Sequence, residues 1–470
     1  MKCIGCGAEI RFDPASQLLV CDHCGKKLDP EQYGDTEKTA SEGKDYMDCT
    51  VYKCPQCGAS VLTTEETAVT FCSYCGTSVA LEGKLSKELR PDYIIPFMKS
   101  KKECETLYLK RVRKSLFAPG ELKADEKVDK FRGIYMPYWV YQLSNRGNIT
   151  GTGSLSSRKG DYVYTYHYAS EESYKAVYGG LSYDASSAFS DNLSEAIAPF
   201  DTRGKKKFNT AYMSGFYGDN RDVKSYVYMD DAKDMVSEDI ADRIYTGDGY
   251  AAHGITPKSL QNSIDLIVKP ESGYFPVWFL ANKVKGSDRV SYAVVNGQTG
   301  RVAVDIPIDF KKYLLFSLLF AVPIFAILSA FFTLTAKNTL VAAIIITVIG
   351  WIFAGKLVNE VYARENQLDD KGKAFIKETK GLGASLKNAK NAPRAPFKER
   401  EKIAIKPILG IAAAALVILM SPAHDAWYYG AAVFSGVLTV FTFLDIVKKF
   451  NLLTTRKPPQ LEKRGGDENA

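Results

Sequence analysis

Apolar residues are spread unevenly along the chain, and the unevenness separates a membrane part from the rest. Four stretches carry almost no charge: Tyr313–Thr335, Leu340–Phe353 continuing to about Val358 with Lys356 as its one charge, Ile405–Ser421 and Tyr428–Ile446. At ~1.5 Å per residue, about 20 apolar residues cross the ~30 Å hydrocarbon layer. The pattern predicts four membrane-spanning helices arranged as two hairpins, a region 311–447 with a polar loop 359–403 between the hairpins. Lys356, Lys406 and Asp445 fall near predicted helix ends, and Pro323 is the one clear mid-span irregularity. Transport calls for ionisable groups or broken helices at mid-membrane, so an anchor is the reading, with a transporter as its rival.

Before the first span the period of the pattern changes. Ser100-Lys-Lys-Glu103 matches a capping box and predicts a helix to about Phe117. Its apolar positions Cys104, Leu107, Tyr108, Val112 and Leu116 share one face; Lys101, Lys102, Lys110, Arg113 and Lys114 lie on the rest, a solvated surface held near lipid headgroups. Ile134–Leu143, Asn148–Ser154, Asp161–Tyr168, Tyr274–Leu280, Ser291–Val295 and Arg301–Ile306 read as strands. The segment Tyr274-Phe-Pro-Val-Trp-Phe-Leu280 echoes Tyr135-Met-Pro-Tyr-Trp-Val-Tyr141, which suggests a degenerate repeat with the helical stretch Lys233–Arg243 between its copies. Residues 93–310 are thus expected to form a β-rich α+β domain.

Cysteine spacing adds the chemistry. Cys3-x2-Cys6 and Cys21-x2-Cys24 recur fifty-one positions later as Cys54-x2-Cys57 and Cys72-x2-Cys75, and a glycine follows each pair, at Gly7, Gly25, Gly58 and Gly76. Two residues between thiolates let a knuckle offer both sulfurs to one tetrahedral ion, and the glycine permits the left-handed turn that brings amides toward sulfur. The expectation is a pair of four-cysteine zinc ribbons, 1–28 and 51–82, on a flexible stalk, with 29–50 and 83–92 as linkers. Each site is closed and therefore structural; tetrahedral sulfur by itself does not distinguish zinc from iron. His23 sits inside a knuckle whose four cysteines already complete the shell, and Cys49 and Cys104 are expected to be ordinary thiols. The N-terminus lacks the basic and apolar regions of a secretory leader, which with paired thiols implies a reducing compartment.

Formal charge is +7 over 470 residues, and its placement sets orientation. Lys311 and Lys312 abut the first span, eleven basic residues lie between Arg364 and Lys402, and the tail 448–470 holds Lys448, Lys449, Arg456, Lys457, Lys463 and Arg464. The two short turns between paired spans hold one lysine in total. The positive-inside rule then puts both termini of a multi-pass cell-membrane protein in the cytoplasm. Residues 1–82 carry seven basic and thirteen acidic side chains, a balance of −6, before each tetrathiolate adds more negative charge. That speaks against nucleic acid and for protein partners. The spans leave homo-oligomerisation open.

No catalytic constellation stands out. His23, His167, His253 and His424 are scattered, and neither His-Glu-x-x-His nor Gly-x-Ser-x-Gly occurs. Gly350-x4-Gly355-Lys356 resembles a phosphate loop but ends in Leu357 inside a predicted span. Asp230, Asp231 and Asp234 read as solvated charge, and the alternation of Tyr162, Tyr164, Tyr166 and Tyr168 as sheet packing.

Several motifs together resemble a family. They are the doubled ribbon, Tyr93-Ile-Ile-Pro-Phe97, Gly133-Ile-Tyr-Met-Pro-Tyr-Trp139, the stretch from Asp184-Ala-Ser186 to Pro199-Phe200, Ala211-Tyr-Met-Ser-Gly-Phe216 and Asn296-Gly-Gln-Thr-Gly300. Over roughly residues 1–310 the chain looks like the bacterial TFIIB-type zinc-ribbon-containing membrane proteins. The resemblance implies zinc binding and a membrane location and no established activity. The expected function is a membrane-anchored cytoplasmic zinc-ribbon scaffold that recruits protein partners. The rivals are a nucleic-acid- or transcription-linked adaptor and an accessory subunit of a transporter or hydrolase.

Overall fold

A computed structural model describes residues 1–35, 46–64, 72–77, 83–247, 250–284, 286–331, 335–366, 368–372 and 395–457. Residues 36–45 of the expected linker 29–50, about half of the loop 359–403 and the end of the tail lie outside the described residues. The centre is the antiparallel pairing of two long strands, β8 (Arg132–Lys159) and β12 (Ile267–Lys283). Phe275 lies opposite Met136, Pro276 opposite Tyr135, and Tyr274 opposite Pro137.

Around that point the neighbours repeat with two-fold pseudosymmetry. The short strand β11 (Tyr217–Gly218) runs parallel to β8 at Ile134–Tyr135, and β7 (Tyr93–Ile94) runs parallel to β12 at Gly273–Tyr274. Further along, β9 (Tyr162–Asp184) pairs β8 from Tyr138, and β13 (Val290–Asn296) pairs β12 from Val277. Each proline sits where one neighbour strand gives way to the next, so its missing N–H leaves no rung empty. The proline carbonyls accept from Ala185 and Gly297, both at 2.8 Å. The indoles of Trp139 and Trp278 donate to the Val223 and Lys99 carbonyls at 2.8 and 2.9 Å. The Pro-x-Trp echo is thus a duplicated strand–helix–hairpin unit. The helix of the second unit belongs within that copy and not between the copies.

The helices of the two units are α1 (Lys101–Arg113) and α2 (Met229–Gly247). The capping box forms as expected: Ser100 Oγ accepts from the Glu103 amide at 3.4 Å, and the Ser100 amide donates to Glu103 at 2.8 Å. Cys104, Tyr108 and Val112 are buried at their spacing of four. The strands expected at 148–154 and 161–168 merge into one β8–β9 hairpin turning at Gly160 (φ +62°). Its end projects, leaving Tyr162, Tyr164 and Tyr166 exposed. Sheet packing therefore does not account for those three tyrosines, because among the described residues nothing covers them at the tip of the arm.

Neither presumed linker is simply a joint. β4 (Tyr46–Lys53) begins inside 29–50, and β6 (Gly83–Leu89) occupies most of 83–92 and pairs β4 along seven positions. β5 (Ser60–Thr63) pairs β4 and then β11 through Leu62 and Gly218, which joins the second cysteine unit to the main sheet. β10 (Lys206–Lys207) closes the other edge against β7, and β14 (Val302–Val304) follows β13.

Four helices are long and apolar enough to cross a membrane: α3 (Phe310–Phe331), α4 (Ala336–Glu365), α5 (Phe397–Met420) and α6 (Asp425–Leu453). The last three bury one another, with Leu340, Ala414, Tyr428 and Ala431 in one cluster and a 2.6 Å hydroxyl contact between Thr347 and Thr439. No residue of α3 is buried. The expected first hairpin is therefore absent as a packed pair: α3 has mostly large side chains and leaves the three-helix group at its start.

Gly133 tests the core. A Cβ there would lie 2.4 Å from the Phe216 ring, which stacks on Phe97 at 4.2 Å between centroids. Gly133→Ala should cost about 1–3 kcal/mol by overpacking, whereas Gly179→Ala, with nothing within 4 Å, should be neutral or slightly stabilising. Thermal melts of the detergent-solubilised chain compare them directly.

Candidate metal centres

Both sets of four cysteines converge. Sγ–Sγ separations are 3.7 Å for Cys3–Cys24, 3.5 Å for Cys6–Cys21, and 3.7 Å for Cys54–Cys75 and for Cys57–Cys72. A tetrahedron with metal–sulfur bonds of about 2.3 Å has edges of about 3.8 Å, so each set fits one ion. Among the described residues these two sets are the groups able to hold a metal.

The knuckles form for the reason the glycines suggested. Gly7, Gly25, Gly58 and Gly76 have φ between +70° and +74°. Each donates to the carbonyl of the first cysteine of its pair, at 2.8–3.0 Å. The first cysteine's amide in turn binds the carbonyl two residues past the second cysteine, closing the loop. Amides also reach sulfur: Gly5 N lies 3.4 Å from Cys3 Sγ and lowers that thiol to about 6, toward the thiolate a metal needs. Cys49 and Cys104 differ, since burial pushes them up to about 11 and about 12. They are inert thiols outside both clusters. His23 is exposed and belongs to neither set.

The two sites share a ligand grammar and differ in surroundings. The first unit folds as its own three-stranded sheet, β1 (Ile10–Asp13), β2 (Leu18–Cys21) and β3 (Lys27–Leu28). It docks on the β-rich domain through Phe12 N to Ser214 O at 3.0 Å, Phe12 against Tyr212 at 5.3 Å, and Gln17 Nε2 to Phe97 O at 2.7 Å. Its outer end stays open: Cys6 and Cys24 are exposed, and Ile4 is 68% exposed. All four cysteines of the second unit are buried. Tyr74, between Cys72 and Cys75, packs on Phe279 at 5.4 Å and accepts from the Tyr292 hydroxyl through its carbonyl at 2.7 Å.

Tyr74 leads to a group the sequence did not signal. Asp219, one residue past β11, is buried, and its carboxyl accepts from the Ser186 hydroxyl and the Asn220 amide while Tyr74 also bonds to it. Burial pushes the Asp219 carboxyl up to about 7. Nothing in the motif pattern marked it, because its environment is assembled from three separate segments. The Asp230–Asp234 region opens α2, where Asp231 pairs with Lys371 in place of a metal.

The chain is similar to "Uncharacterized protein YdjG" of Bacillus subtilis (strain 168), 28% identical over 322 residues, which is 66% of this chain and 91% of that protein. No family model and no solved structure matches it.

Two outcomes follow. A chelator should remove metal in two phases, the faster from Cys3/Cys6/Cys21/Cys24 because two of its sulfurs face solvent; Cys24→Ser should abolish the fast phase in a colorimetric release assay and leave the slow one. Asp219 ionises at a higher pH folded than unfolded, so its contribution is complete below pH ~4 and declines as pH rises toward 7. Asp219→Asn should lack that decline and gain about 3 kcal/mol relative to the parent between pH 5 and 7.5, read from paired melts that cancel any effect of the thiols.

Proposed function

We propose that the chain is a membrane-anchored scaffold in which two structural zinc ions fix a docking surface on the cytoplasmic face of the cell membrane. The observation that carries this reading is closure: four sulfurs surround each site, so no coordination position remains for a substrate, and the chemistry is architectural. Zinc is favoured over iron because both sites serve as folding elements, one ordering a separate miniature sheet docked on the domain and one bracing the main sheet, and a redox role would need neither. The basic residues flanking the spans support cytoplasmic termini.

The docking face is the open pole of the first ribbon, where Ile4 stands exposed beside Cys6 and Cys24. The −6 balance of residues 1–82 favours a basic protein surface over nucleic acid as its partner. The ribbon is seated on the domain, not hung from a flexible stalk, so the partner would be presented at a fixed height above the bilayer.

In-cell cross-linking and capture of the full chain tests this. Ile4→Glu should retain two zinc ions per chain by elemental analysis and lose partners that the parent captures. Identical partners from both chains, or a metal-free purified parent, would overturn the proposal.

A further inference from the structure

The charges on α1 are sorted along its axis. Its N-terminal end sits beside Gly297, whose carbonyl accepts from Met98 and Lys99, both at 2.8 Å. Its C-terminal end meets the start of α3: the Asp309 amide donates to Phe117 O at 2.8 Å and Lys312 Nζ to Ala118 O at 2.7 Å. The Phe117 ring lies 5.6 Å from Tyr313 and 5.9 Å from Phe316, both within the first span. Since α3 enters the membrane there, the last turn of α1 stands at the level of the headgroups.

Acidic groups cluster at the far end and are neutralised. Glu103 pairs with Lys99 at 3.2 Å, and Lys101 pairs with Glu105 at 3.8 Å and Asp129 at 2.6 Å. At the membrane end Lys110, Arg113 and Lys114 are exposed, and none has an ion-pair partner among the described residues. The three share a helix face with Thr106 and Leu109, and together they border a shallow, open recess between their side chains. Leu116, 55% exposed, follows two residues after Lys114 in the segment that leads to the span. Along the chain the cations come first and the apolar side chain lies nearer the span, the order of polarity that a phospholipid presents.

We infer that this recess binds the headgroup of an anionic phospholipid from the leaflet α3 enters, with Lys110, Arg113 and Lys114 on the phosphate and Leu116 against the upper acyl chain. One feature favours lipid over a soluble anion: three residues beyond Lys114 the Phe117 ring packs on Tyr313 and Phe316 of the first span, which holds the cations at the membrane surface. The inference rests on the span reading alone and is independent of metal.

Native mass spectrometry of the delipidated full chain, given phosphatidylglycerol or phosphatidylcholine, reads the site. Each cation near an anionic surface is worth about fivefold in partitioning, so Lys110→Gln should lower the phosphatidylglycerol preference about fivefold and the triple glutamine variant at least tenfold. Lys102→Gln, at the far end, should leave it unchanged. The parent's preference should also weaken in 0.5 M salt, a check that needs no variant to fold. Equal retention of both lipids by the parent, or an undiminished preference in a triple variant with the parent's melting temperature, would overturn the inference. So would displacement of the lipid by inorganic phosphate or polyglutamate at matched charge.

Discussion

The hydrogen-bonded register between β8 and β12 is the constraint on which the soluble part depends. With Phe275 fixed opposite Met136, every other element finds its place by pairing with one of these strands or with a strand that does. A one-residue slip would turn Tyr135, Tyr138, Tyr274 and Phe275, all buried, toward the wrong face. The register is over-determined. Phe275 stacks on Tyr138 at 4.4 Å, and Tyr135 and Tyr274 lie 6.3 Å apart across the pair. Two tryptophans hold the helix-leading loops at equivalent points. Duplication explains the economy: one unit cannot complete its sheet alone, and each copy supplies the short parallel strand its partner needs.

The same sheet is joined to the helices through arginines. Arg289, one residue before β13, donates to the Leu452 and Thr455 carbonyls at the end of α6 and pairs with Glu365 of α4 at 2.6 Å. Arg364 reaches the Leu453 carbonyl at 2.5 Å, and Arg456 bridges backbone to backbone with Val290. The last carbonyls of a helix need donors, and guanidinium groups meet that need while complementing the helix dipole. Charged pairs this sheltered add little net stability, because desolvation offsets attraction. They do single out one arrangement, since a tilt that broke them would leave sheltered charges without partners. The β-rich domain is thus oriented on the three-helix group, while α3 is connected mainly through Phe117 and Lys312.

Legibility in the sequence followed the range of the interactions. The eight cysteines, their glycines, the capping box at Ser100 and the four apolar runs were readable because each is local: two residues between ligands, three between cap and partner, twenty for a span. The long hairpin reads as separate strands because Gly147 and Gly160 fall between the apolar alternations and look like breaks. In the fold, Gly151 and Gly153 are close approaches to Ile255, Leu260 and the backbone at His253–Gly254. The pairing of the presumed linkers is not legible in the sequence, because strand partners dozens of residues away leave no periodic trace. Asp219 was missed for the same reason, since a buried carboxyl is defined by what surrounds it. The loose first span could not have been foreseen, as apolar length says that a helix crosses and nothing of which neighbours it packs against.

The two cysteine units show how far identical local chemistry can diverge. Both have the same spacing, the same positive-φ glycines and sulfur tetrahedra of nearly one size, so the duplication preserved everything an ion requires. What changed is the residue between the second pair of ligands and the sheet each unit joins. In the first knuckle those residues are Asp22 and His23, both exposed, and the unit keeps a private sheet and an open pole. In the second they are Ser73 and Tyr74, both buried, and the aromatic ring commits the knuckle to the domain core. A metal site of this kind is indifferent to its outer face, because four thiolates satisfy the ion without help. That indifference leaves one copy free to be buried in the domain core and the other free to keep an exposed pole.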